Sequence, residues 1–192
     1  MPNAMQFDLG SVVSLWRYPV KSMMGEELNA TEVTDRVLLG DRAYALVDTS
    51  DGKAATAKNP RKWPRLFDFR ATFVEPVRPA ARIPPVRIAL PDGTTITSDQ
   101  GDRNQILSKA LNREVTFRAA QHGAVNAEEY WPDMEGLDHR DTVTDFTLPE
   151  ETFSSDPGIL RTAAQHNKVN VGVYAALMRG GTIRRGDPVR LE

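Results

Sequence analysis

Through the first 120 positions, apolar residues recur in short runs, each closed by glycine, proline or aspartate, and this pattern predicts short strands. Residues 12–17 alternate loosely and stop at Pro19, which cannot donate to a sheet ladder. Residues 32–38 form a second candidate strand ending at Gly40. Runs 43–48 and 53–57 flank Thr49-Ser50-Asp51-Gly52, a hairpin signal because glycine supplies the positive φ that closes such a loop. Between residues 63 and 69, Trp63, Leu66, Phe67 and Phe69 read as core anchors, and residues 71–75 continue as a strand. Pro76, Pro79, Pro84 and Pro85 mark an extended linker.

A second hairpin is predicted at 86–90 and 94–97 around Pro91-Asp92-Gly93. Ser98 or Asp99 is placed to cap a following helix, whose Ile106, Leu107, Ala110 and Leu111 fall on one stripe. Residues 115–118 form one more short strand. From 121 to 149 the periodicity disappears among acidic and turn residues, and an irregular loop is expected there, with Tyr130 and Trp131 as its apolar anchors. The tail becomes regular again. It has a helix at 158–165 opened by Pro157, a strand at 169–178 and a returning strand at 182–191 broken at Gly186-Asp187-Pro188. The fold class is therefore mainly β with a minor helical part. The divisions are a flexible leader (1–8), a β domain (9–120), an acidic irregular loop (121–155) and a tail (156–192).

Composition narrows the function classes. The chain has 192 residues, 40% hydrophobic and 26% charged, with a net charge of −2. That balance gives no long-range pull toward nucleic acid or an anionic membrane. No apolar run of 18 residues occurs, and residues 1–20 lack a basic start followed by an apolar stretch, so a cytoplasmic location is expected. The cysteine count is zero, which removes disulfides, thiolate metal ligands and cysteine nucleophiles. No Gly-x-x-x-x-Gly-Lys-Ser/Thr, Gly-x-Gly-x-x-Gly, His-Glu-x-x-His or Gly-x-Ser-x-Gly is present. Asp138-His139-Arg140-Asp141 has the residue types of a metal site, but consecutive loop residues point in different directions, so it reads as surface charge.

The remaining chemistry lies in Tyr18-Pro19-Val20-Lys21-Ser22-Met23-Met24-Gly25 and in Gly40-Asp41-Arg42. Lys21 offers a point charge, Ser22 a hydroxyl and Arg42 a planar fork of donors, a set suited to phosphate or a similar oxyanion. Arg17 is a further candidate. A lysine and an arginine at strand ends are ordinarily solvated surface charges, so spacing alone does not make a site.

These motifs, with Gly40-Asp41-Arg42-x-Tyr44 and Thr56-x-Lys58-Asn59-Pro60, resemble the N-terminal β-barrel region of MOSC-domain proteins, the molybdenum-cofactor sulfurase C-terminal type. Asp156-Pro157-Gly158-Ile159-Leu160-Arg161, Asn170-Val171-Gly172-Val173-Tyr174 and Gly180-Gly181-Thr182-Ile183-Arg184-Arg185-Gly186-Asp187-Pro188 resemble the far end of that family's catalytic domain. The similarity covers roughly 11–150 and 156–192. It implies an N-terminal-type β-barrel plus a truncated barrel tail, and a binder of molybdenum cofactor in which Lys21, Ser22 and Arg42 hold the pterin phosphate. The family's intervening block, with its Arg-Phe-Arg-Pro-Asn-like motif and cysteine, has no counterpart, because Phe153-Ser154-Ser155 runs directly into Asp156. Relatives are molybdenum enzymes or sulfur carriers; without the cysteine, impaired catalysis is expected here. Family annotation also mentions pyridoxal phosphate, for which Lys21 could form a Schiff base. Nothing near Lys21 in sequence supplies the partner that the cofactor's pyridine nitrogen needs, so that cofactor is not expected.

Two functions stay open: a binder of the phosphate-bearing pterin or a similar anion, and a non-catalytic module that binds a protein partner. Because a lone hairpin is marginal in water, the tail must either add to an edge of the N-terminal domain or pair with a second copy. A homodimer through 156–192 is the expectation.

Overall fold

The computed structural model describes residues 7–34, 37–120, 124–129, 140–145 and 177–191. Thirteen strands and one α-helix are present among them. β1 (Phe7–Ser11), β2 (Leu15–Arg17), β3 (Glu26–Leu28) and β4 (Ala30–Val33) lead into β5 (Tyr44–Asp48). A 3-10 turn at Leu66–Asp68 precedes β6 (Arg70–Phe73), β7 (Val86–Ala89) and β8 (Thr95–Thr97). Helix α1 (Arg103–Leu111) is followed by β9 (Val115–Ala119), β10 (Ala124–Glu129), β11 (Arg140–Asp145), β12 (Gly181–Arg184) and β13 (Pro188–Leu191).

The described strands form one three-stranded sheet, β6-β7-β8, and five antiparallel pairs, without a closed barrel. Strand β5 pairs with β9 from Tyr44↔Ala119 to Asp48↔Val115. Its two faces are both covered: Leu46 packs with Phe69, Ile88 and Phe117, while Ala45 and Val47 pack with Ala54. Helix α1 delivers Leu107 to the main core. It is also clipped to β9 by polar groups, since the Val115 amide donates to Ser108 Oγ at 3.0 Å and the Phe117 amide to Asn104 Oδ1 at 2.9 Å. A buried edge amide left without such a partner would cost about 1–3 kcal/mol.

The hairpins at 49–52 and 91–93 form as the turn residues require, with Gly52 at φ 72° and Gly93 at φ 84°. Several expectations are revised. The return leg at 53–57 is a single bridge, Ala54 to Val47, rather than a strand. The strand expected at 32–38 ends at Val33, after which Thr34 Oγ1 accepts from the Val37 amide at 3.1 Å and turns the chain. Trp63, Leu66 and Phe69 are buried, but Phe67 is 50% exposed: the 3-10 turn points successive side chains in different directions. Asp102, not Ser98 or Asp99, stands at the N-cap of α1; Ser98 Oγ instead accepts from the Val86 amide. The segment expected to be an irregular acidic loop contains β10 and β11, paired in register from Ala124↔Asp145 to Glu129↔Arg140. Tyr130, Trp131, the predicted helix at 158–165 and all but the last two residues of the predicted strand at 169–178 lie outside the described residues.

The tail returns to the start of the chain. β12 pairs with β4 from Gly181↔Val33 to Arg184↔Ala30, and β13 pairs with β1 from Phe7↔Leu191 to Ser11↔Pro188. β1 thus begins at Phe7, inside the segment expected to be a leader. These two strands take the intrachain alternative, adding to edges of the N-terminal strands. Among the described residues no helix is long and apolar enough to cross a membrane.

Candidate anion-binding site

Pro19 removes one ladder donor, and the chain around it exploits that gap by running parallel to a later segment. The Arg42 amide donates to the Tyr18 carbonyl at 2.7 Å, the Tyr44 amide to the Pro19 carbonyl at 3.0 Å, and the Lys21 amide to the Tyr44 carbonyl at 2.8 Å. Val20 and Tyr44 make a parallel bridge. Two motifs about twenty residues apart in sequence are therefore stitched side by side.

Both ends of this stitch carry unusual backbone. Ser22 sits at φ 62° and Arg42 at φ 48°, the left-handed region that non-glycine residues adopt rarely. Strained positions of this kind cost on the order of 1–3 kcal/mol and persist where the surroundings enforce them. At Ser22 the enforcing contact is visible: its Oγ accepts from the Ala57 amide at 3.1 Å, which ties it to the Thr56–Pro60 turn. In that turn Thr56 and Asn59 are buried, and Asn59 Oδ1 accepts from the Lys62 amide. Gly25 closes the segment because a Cβ there would collide with the Arg17 carbonyl.

Lys21 is 3% exposed and Ser22 8%. Arg42 is half-buried, with its guanidinium 5.6 Å from the Tyr18 ring centre and one nitrogen donating to Asp41 Oδ2. The other Asp41 oxygen accepts from the Tyr18 amide at 2.7 Å. Burial pushes the Asp41 carboxyl above its ordinary value, against the pull of Arg42 and of that amide. Asp41 thus holds Arg42 in place and competes for its positive charge, a role that the Gly-Asp-Arg motif does not disclose by itself.

Arg17 is committed elsewhere. Its Nε and Nη2 donate to Glu26 Oε1 at 2.9 and 2.7 Å, Nη1 donates to the Leu39 carbonyl at 3.1 Å, and the guanidinium lies 4.7 Å from the centre of the Phe73 ring. It faces a cavity of about 530 Å³ whose lining includes neither Lys21, Ser22 nor Arg42. The expectation that Arg17 joins the other three is not matched by this placement. Glu26, its partner, carried no signal in the sequence, because it falls outside every predicted strand and motif.

Lys21, Ser22 and Arg42 are two cations and a hydroxyl on a backbone held in fixed turns, the residue types that a phosphate takes. The metal end of a molybdenum cofactor has no thiolate to draw on, and among the described residues no group of three or more histidine, cysteine, aspartate or glutamate side chains is placed to hold a metal. Of Asp138-His139-Arg140-Asp141, only Arg140 and Asp141 are described, on β11.

No curated protein matches the chain. The MOSC N-terminal beta barrel domain matches residues 9–146, a span that takes in the stitched motifs, the core sheets and the β10–β11 hairpin. With more than two thirds of its length matched, the chain belongs to the MOSC N-terminal beta barrel domain family.

Proposed function

We propose that the protein binds molybdenum cofactor, or a closely related phosphate-bearing pterin, without turning it over. The observation that carries this reading is the pair of left-handed residues, Ser22 and Arg42, at the two ends of the stitched motifs. Of the four described non-glycine residues with positive φ, Ser22, Arg42, Ala80 and Asn112, two fall at the ends of the stitched motifs, and backbone strain of this kind clusters at ligand sites. Lys21 and Arg42 would supply the charge-assisted hydrogen bonds to the phosphate, and Ser22 a further polar contact. When bound, the cofactor's metal supplies oxygen-atom or sulfur-transfer chemistry; the residues here would anchor its phosphate and exclude water from that end. Without a cysteine, firm thiolate ligation of molybdenum is unavailable, and a carrier or inactive relative is the reading that follows.

The test is to purify the protein from a host that makes the cofactor, denature it, and record pterin fluorescence and molybdenum content. Stoichiometric pterin that disappears in the Lys21→Ala/Arg42→Ala double variant supports the reading. A wild-type protein free of pterin overturns it.

A second reading, a non-catalytic module that binds another chain, is favoured by one observation. Leu9 (59% exposed), Val13 (75%) and Val189 (41%) leave apolar surface at the β1–β13 pair and the segment after it. A second copy of the chain is the partner this reading names, and light scattering coupled to size exclusion tests it through the mass.

A further inference from the structure

The cavity that Arg17 faces has the composition of a second site, of opposite sign to the first. Its lining includes the Arg17–Glu26 pair, with the guanidinium over the Phe73 ring, and apolar side chains from Leu28, Leu39 and Val77. Its rim carries Glu32 and Glu75, both exposed, with no ion pair to either among the described residues. Two features fix the sign of what would enter. Arg17, the one cation among the described lining residues, has its Nε and Nη2 on Glu26 and its Nη1 on the Leu39 carbonyl, so it offers little to an incoming anion. Among the described residues the lining then holds three carboxylates against that one guanidinium.

We propose that this cleft binds a small organic cation with an apolar or aromatic body, distinct from any ligand at Lys21, Ser22 and Arg42. The apolar body would pack on Leu28, Leu39 and Val77, and the cationic head would sit between Glu32 and Glu75. A volume of about 530 Å³ falls within the ordinary range of small-molecule pockets, which favours a free small molecule over a protein surface. Glu32 lies on β4 and Glu75 in the segment after β6, so a cation held by both would tie the two segments together. Strand β12 contributes Thr182 to the lining, which makes a docked tail part of the site.

Three probes of one shape decide the matter: benzamidinium, benzamide and benzoate, each titrated into the full chain and followed by amide chemical shifts. Benzamidinium should saturate a set of shifts at Leu28, Leu39 and Val77, with benzamide at least about tenfold weaker and benzoate weaker still, since each tenfold step is a modest 1.4 kcal/mol. The Glu32→Gln/Glu75→Gln double variant changes only exposed side chains, and its folding is checked by the unchanged remainder of the spectrum. It should bind benzamidinium about tenfold or more weakly. Equal binding of benzamidinium and benzoate, equal affinity in the double variant, or no saturable shift in the cleft would each overturn the proposal. None of these results depends on whether pterin binds at Lys21 and Arg42.

Discussion

The Lys21 amide donates to the Tyr44 carbonyl across 2.8 Å, and through that bond the first motif is fixed to strand β5, which follows the second. One geometric unit thereby contains both cations of the candidate anion site. Losing either cation should weaken a phosphate ligand. Lys21→Ala and Arg42→Ala are each expected to cost about 1.5–3 kcal/mol of binding, the range of charged hydrogen bonds, read by calorimetry with pyrophosphate as probe. Unchanged affinity in both variants would remove these groups from the candidate anion site.

Asp41→Asn should act in the opposite direction. The amide oxygen can still accept from the Tyr18 amide, while the charge that competes for Arg42 is gone. Pyrophosphate affinity should rise, by about three- to tenfold for the loss of a competing carboxylate beside the donor. A fall would mean that Asp41 positions Arg42 more than it occupies it.

A separate ion network predicts acid sensitivity. Asp48, 1% exposed, accepts from the Ser50 amide and hydroxyl and lies 3.2 Å from both Lys62 and Arg113; Lys62 also reaches Asp51 at 2.6 Å. Burial alone would raise both carboxyl values, but the hydrogen bonds from Ser50 and Lys62 at Asp48, and from Lys62 and Lys53 at Asp51, hold them below the ordinary 3.8. Groups with lowered values take up protons more readily when unfolded. Their stabilisation is therefore complete above about pH 5 and lost as pH falls through and below 3.8. Urea titrations from pH 6 to 3 should show the loss. Asp48→Ala should flatten that dependence and cost about 2–3 kcal/mol at neutral pH, less than a fully buried pair because Lys62 keeps Asp51.

Docking of the tail has its own probe. A Cβ at Gly180 would lie 2.6 Å from the Val33 carbonyl, so the approach of β12 to β4 depends on glycine there. Gly180→Val should push the strands apart at a cost of about 1–3 kcal/mol and speed amide exchange in residues 181–184. Protection unchanged from wild type would show that the pairing tolerates the displacement.

Local rules made much of this fold legible. Gly52 and Gly93 announced their hairpins, and the spacing of Ile106, Leu107, Ala110 and Leu111 gave α1 its buried side. Long-range pairing was not readable in the same way. Nothing in residues 7–11 names Pro188–Leu191 as a partner, because ladder bonds are made by backbone that every residue shares. The β10–β11 hairpin was hidden by acidic residues that usually mark solvated loops. At the site, Lys21, Ser22 and Arg42 stood out by motif. The diversion of Arg17 to Glu26 did not, since a guanidinium's partner is set by tertiary approach.

The pairing of β1 with β13 joins residues about 180 positions apart, and this governs when the first strand can fold. A contact of that span closes a long loop and ranks among the last to form, since loop-closure entropy must be met before the contact contributes. On a ribosome adding about 5–20 residues per second, Phe7–Ser11 would wait roughly 10–40 s without its ladder partner. During that interval the first strand is an open template for whatever chain comes near. The protein's greatest exposure to misassembly therefore belongs to its synthesis, before β13 has emerged.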